Sequence, residues 1–123
     1  MSLDRSTIAL SFLAVTMALA GAACGSSSPS APTTSAADVT INMVGNIASQ
    51  SFSPNPTTMR VGQTVAWKNA DSIAHDATQD AGRFSTATVN AGATSAPITM
   101  STAGTFTYHC TIHPGMVGSI TVQ

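Results

Sequence analysis

Residues 104–122 read GTFTYHCTIHPGMVGSITV. Phe106, Tyr108 and Cys110 recur at every second position, and so do Ile120 and Val122 further on. In an extended chain, alternate residues share one face. Two such runs joined by a tight connection containing Pro114 and Gly115 predict two strands with a turn between them. The same period recurs outward from this stretch. Val39, Ile41 and Met43 share one face of a first strand, Val65 and Trp67 one face of VAWKN, and Ile98 and Met100 one face of ITM. Gly62, Gly82, Gly92, Gly104 and Gly118 punctuate the runs. Pro54 and Pro56 mark a turn or edge segment, because proline cannot donate to a central ladder. No window sustains a 3.6-residue apolar period, although one short helical turn is compatible with residues 70–81. The pattern predicts an all-β sandwich or barrel over residues 38–123.

The composition agrees. At 123 residues the chain has room for one ordinary domain. It carries four Lys/Arg against five Asp, with no Glu, for a net charge of −1. Without a basic run there is nothing to displace counterions, so a nucleic-acid partner is excluded. Ala, Ser and Thr fill 54 positions and aromatics only six. A turn-rich β domain fits this better than a long-helix bundle, and Ser and Thr hydroxyls must keep its surface soluble.

The N-terminal third points to export. Residues 8–20 (IALSFLAVTMALA) carry no charge. At thirteen residues they are too short for a bilayer span, which needs about 20, and match the apolar core of a signal peptide. Gly21, Ala22 and Ala23 then precede Cys24, and small residues before a cysteine resemble the lipobox of bacterial lipoproteins. Gly21 stands where that motif has a large aliphatic residue, and cleavage after Ala18-Leu19-Ala20 is the ordinary alternative. Residues 25–37 are only Gly, Ser, Pro, Ala and Thr, from which no core can be built. The expected division is a signal peptide over 1–23, a lipidated, disordered linker over 24–37 and a folded domain over 38–123. As a flexible coil the linker would reach about 20 Å, enough slack for an anchored domain.

The chemistry lies in the connection after GTFTYHC. Cys110, His113 and Met116 are spaced C-x-x-H-x-x-M. A lone Cys or Met there would read as core filling, but three potential ligands within seven residues are harder to dismiss. Outside this segment the chain has one other histidine, His75. Two imidazoles, a thiolate and a weak thioether describe the trigonal blue-copper arrangement, whereas zinc more often takes further Cys, His or carboxylate ligands. The thiolate and imidazoles suit Cu(II) and the thioether tolerates Cu(I), so one geometry serves both oxidation states.

Two segments, FSPNPTTMRVGQTVAWKNADSIAHD and AGTFTYHCTIHPGMVGSITV, make residues 38–123 resemble a cupredoxin of the plastocyanin/amicyanin type. The short C-x-x-H-P-x-M loop is most similar to that of amicyanin. The resemblance implies a Greek-key β-sandwich with one copper ion near one end, bound by His75, Cys110, His113 and Met116. Two positions depart from the family pattern. Asp76 stands where Asn commonly ties the two ligand loops together, and Ile112 stands where these loops often carry Pro, leaving a backbone N–H near the sulfur. The first adds negative charge and the second a hydrogen bond, with opposite effects on the potential.

Strand alternation turns His109 outward, away from Cys110. A histidine beside this cysteine binds a catalytic copper in copper nitrite reductases, but such a site needs several imidazoles and only one remains per chain here. A Cys24–Cys110 disulfide would disarm the copper site and is not expected. The leading expectation is therefore a non-enzymatic carrier of single electrons outside the cytoplasmic membrane, a monomer with redox proteins as donor and acceptor and a membrane anchor on Cys24. A module that hands over the copper ion itself is the alternative, and a structural domain with incidental metal is the third.

Overall fold

The computed structural model describes residues 35–123. The signal, lipidation and linker assignments made for residues 1–34 lie outside the described residues. Eight strands follow in chain order: β1 (Val39–Met43), β2 (Phe52–Ser53), β3 (Thr57–Met59), β4 (Thr64–Asn69), β5 (Thr78–Gln79), β6 (Ile98–Thr99), β7 (Gly104–His109) and β8 (Val117–Val122). They form two four-stranded sheets, ordered β2-β1-β4-β6 and β3-β8-β7-β5. This is the expected Greek-key sandwich. Pro54 and Pro56 lie where the chain passes from β2, an edge of one sheet, to β3, an edge of the other.

The alternating residues face each other across the sandwich. Ile41, Met43, Val65 and Trp67 from one sheet and Phe106, Tyr108, Ile120 and Val122 from the other belong to one buried cluster. Tyr108 is its centre, with ring centroids 4.7 Å from Phe52, 5.6 Å from Trp67 and 6.1 Å from Phe84. Edge-on aromatic pairs of this kind contribute about 0.5–1.5 kcal/mol each beyond their buried area. Room for the phenol comes from Gly118, its partner across the β7–β8 ladder. A Cβ on Gly118 would lie 2.5 Å from the Tyr108 ring and hydroxyl, so glycine is obligatory here.

The structure departs from expectation over residues 70–81. The one helical turn among the described residues is a 3-10 turn at Ala48–Gln50. Residues 70–81 instead form bends and β5, because their hydrogen bonds run across the chain. The Asp71 N–H donates to the Asn69 side chain at 2.9 Å. His75 and Val89 exchange backbone bonds of 3.2 and 2.8 Å, and the Gln79 N–H donates to Phe84 at 2.9 Å. With these groups already paired across the chain, no i to i−4 ladder can form.

Topology gathers the loops at one end. β1 and β4 run parallel with Met43 opposite Asn69, so the segments that follow them leave the sheet together. In the other sheet β5 pairs antiparallel with β7, Thr78 opposite His109, which brings the start of β5 beside the end of β7. His75 and Cys110, far apart in sequence, thus become neighbours.

Burial pushes the Tyr108 hydroxyl up to about 12. Neither it nor Trp67 Nε1 has a hydrogen-bond partner of regular geometry, and the nearby indole offsets only part of the shift. Below pH 10 the phenol is protonated in both folded and unfolded chains. Above it the unfolded chain ionises first, so stability falls with rising pH, by about 2–3 kcal/mol once the pH passes 12. Denaturant melts of the metal-free protein between pH 9 and about 12 should show this loss, and Tyr108→Phe should remove that share of it. Tyr108 is the chain's only tyrosine, so tyrosinate absorbance reports the same group directly.

Candidate metal centre

Cys110 follows the last residue of β7, and its side chain continues the inward face of Phe106 and Tyr108 with no exposed surface. The chain then closes on itself. The Met116 N–H donates to the His113 carbonyl at 2.8 Å, and the Cys110 N–H to the Met116 carbonyl at 3.0 Å. This seven-residue loop delivers His113 beside the sulfur and returns Met116, fully buried, to the core cluster. From the connection between β4 and β5 comes His75, also fully buried and fixed by its exchange with Val89.

Among the described residues, His75, Cys110 and His113 form a group able to hold a metal ion. The Nδ1 atoms of the two histidines are 3.1 Å apart, and each is 3.9 Å from Cys110 Sγ. The circumcentre of a triangle with sides 3.1, 3.9 and 3.9 Å lies about 2.1 Å from each corner, within the range of metal–imidazole and metal–thiolate bonds of about 2.0–2.3 Å. A soft thiolate with two imidazoles in a dry setting is a donor set for copper. The residues fit the ion.

The two departures noted in the sequence are resolved by geometry. Asp76, largely buried, accepts the Thr111 N–H on Oδ1 at 2.6 Å and the Thr111 hydroxyl on Oδ2. It therefore ties the two ligand loops together as an asparagine would. The N–H beside the thiol sulfur comes from Asp76 itself, at 3.4 Å, and not from Ile112. His109 is half-buried on the outer face of β7 and lies 2.7 Å from Asp80, apart from the triangle. Hydrogen bonds from Thr107 and then His109 hold the Asp80 carboxyl below its ordinary value. Cys110 is a free thiol, and Cys24 lies outside the described residues.

Sequence reasoning missed Asp71 and Asn69. Asp71 Oδ2 lies 2.8 Å from His75 Nε2. Asn69, fully buried, donates from Nδ2 to the Ile73 and Val89 carbonyls at 2.6 and 2.9 Å. The signal was present as Asx residues four and six positions before a candidate histidine, but their side-chain partners are not encoded by period.

A sandwich with a buried Cys and two His at one end defines a cupredoxin. Residues 39–123 match the model of the copper binding proteins, plastocyanin/azurin family. The chain is 31% identical to amicyanin of Paracoccus denitrificans over 97% of its own length and 95% of the relative's. It is also 31% identical to plastocyanin of Scenedesmus fuscus, over 70% of its length and all of the relative's. Among solved structures it is similar to a purple cupredoxin from Nitrosopumilus maritimus (29% identity, TM-score 0.61, 70% of this chain and 100% of that one). A copper-containing nitrite reductase from Thermus scotoductus matches 69% of this chain but only 22% of its own, at 33% identity and a TM-score of 0.60. The chain belongs to the plastocyanin/azurin family of copper-binding proteins, and its cofactor is copper.

The tie between the loops can be tested on the metal-free protein. Asp76→Ala leaves the Thr111 N–H without its partner and should cost about 1–3 kcal/mol of stability. Asp76→Asn keeps an acceptor for that N–H and should cost much less. Denaturant melts of the two variants separate these outcomes.

Proposed function

We propose that this protein carries single electrons between redox proteins outside the cytoplasmic membrane. In this reading one copper ion is held by His75, Cys110 and His113, with Met116 as the weak axial ligand. The observation that supports it best is the buried His-Cys-His triangle, open to the surface only through His113. Copper, when bound, supplies the one-electron couple.

The chain's own residues do the rest. Cys110 and His75 sit in the core, where burial and the loop hydrogen bonds fix their positions, so little rearrangement accompanies a change of charge. The Asp76 N–H stabilises the thiolate. Around the partly exposed His113 ring stand Pro114 and Gly115, and the loops of this end carry the exposed Ile47, Ile73 and Ile112. An apolar, weakly charged surface favours brief docking over small areas, as redox encounters require. Handing over the ion itself fits less well, because His75, Cys110 and Met116 are all fully buried.

Export and anchoring belong to the same proposal. The apolar residues 8–20, the small residues before Cys24 and the Gly/Ser/Pro/Ala/Thr composition of 25–37 support a lipid anchor on the outer side of a bacterial cytoplasmic membrane. If so, the native protein fractionates with membranes and Cys24→Ser releases it or leaves it unprocessed. A processed Cys24→Ser protein that stayed membrane-bound would rule the anchor out.

The visible and paramagnetic-resonance spectra of the copper-loaded domain test the centre, and reversible one-electron reduction with copper retained separates carriage from delivery. Cys110→Ser should abolish the intense thiolate-to-copper band even if some copper remains on the histidines. Met116→Leu should keep the colour and raise the potential, because losing a weak donor destabilises Cu(II) more than Cu(I). An unchanged potential would mean that Met116 only fills the core.

A further inference from the structure

We propose that Asp71 is a positioning residue for the copper centre. Its carboxylate fixes which nitrogen of His75 faces the metal and places a negative charge behind that ligand. The inference rests on the copper reading above, and one of its tests does not.

An imidazole can ligate through either nitrogen, and the hydrogen bond made by the other decides which. His75 is fully buried, so water does not make that choice. Its Nδ1 is turned to His113 Nδ1 and Cys110 Sγ, and its Nε2 lies 2.8 Å from Asp71 Oδ2. A carboxylate accepts only from a protonated nitrogen. Nε2 therefore carries a proton, and in the neutral ring the Nδ1 lone pair is left facing the ligand triangle.

Asp71 is itself held. The Ser72 N–H donates to its Oδ1 at 2.7 Å, and its own N–H donates to Asn69 Oδ1 at 2.9 Å. The Asn69 amide is spent on the Ile73 and Val89 carbonyls, and Val89 pairs with the His75 backbone. Asn69, Asp71 and His75 thus form one braced unit reaching from the end of β4 to the ligand. Gly45, at φ +138°, passes beside it.

His113 has no such brace. Among the described residues no protein group partners its outer nitrogen, and its ring is partly exposed. The two imidazoles therefore have separate duties, His75 as the fixed, charge-compensated ligand and His113 as the edge presented to a partner. A carboxylate behind His75 favours the more positive oxidation state and so lowers the potential.

Two variants distinguish the carboxylate's hydrogen bond from its charge. Asp71→Asn keeps an acceptor for the His75 N–H but removes the charge, so the copper-loaded domain should keep its colour while its potential rises. Asp71→Ala removes both, so Cu(II) affinity should also fall about 10- to 100-fold. Nitrogen-15 resonance of His75 in the metal-free protein, at a pH where the ring is neutral, supplies a readout independent of copper. We expect one Nε2–H tautomer in the wild type and in Asp71→Asn, and a mixture in Asp71→Ala. A single unchanged tautomer in Asp71→Ala, or an unchanged potential in Asp71→Asn, would overturn the proposal. Should Asp71→Ala not fold, the potential of Asp71→Asn decides. If the wild-type domain took up no copper, the carrier reading would fail while the tautomer measurement still judged Asp71.

Discussion

A cysteine sulfur is buried at the end of a hydrophobic core between two histidines, and the rest of the site is built around that burial. Cys110 has no exposed surface and belongs to the same cluster as Tyr108 and Met116. A polar group left without partners there would be costly. The surrounding groups supply what water cannot. They are two imidazole nitrogens at 3.9 Å, a backbone N–H from Asp76 at 3.4 Å, and the place for a cation between the three ligands. Folding brings these groups together at one end of the sandwich.

That gathering depends on connections between distant parts of the chain. The 110–116 loop is short and self-closed, so Cys110, His113 and Met116 come as a unit with β7 and β8. His75 arrives from the irregular segment between β4 and β5, and three side chains give that segment its shape. Asn69 folds the turn, Asp71 holds the ring and Asp76 fastens the segment to Thr111. All three are polar groups in a chain that has very few charges to place. Two of its five aspartates serve the immediate surroundings of one histidine.

Burial divides the candidate ligands. His75, Cys110 and Met116 have no exposed surface, and His113 is partly exposed beside Pro114 and Gly115. An ion held among the buried groups could leave only if the core opened. Tyr108 and Gly118 pack tightly behind the site, because the phenol fills the space that the missing Gly118 side chain leaves in the β7–β8 ladder.

The sequence alone determined the local features. Period-two runs showed which residues face the core, the glycines and prolines showed where strands stop, and C-x-x-H-x-x-M named three candidate ligands whose spacing is short enough to keep them together in any fold. These are properties of neighbouring residues, and neighbours are what a sequence records. Other features required the tertiary structure. Residues 70–81 could have formed a helical turn, and only the pairing of His75 with Val89 and of Gln79 with Phe84 diverted their backbone groups. Asp76 read as a departure that put the loop tie in question, until Thr111 was seen to bind both its oxygens. Nothing in the sequence set Asp71 apart, until the folding back of residues 70–75 placed it against the buried ring. Each depends on which groups the folded chain sets against one another, whether four residues apart, as Asp71 and His75 are, or 35, as Asp76 and Thr111 are. That is settled by packing two sheets face to face, and no local pattern carries it.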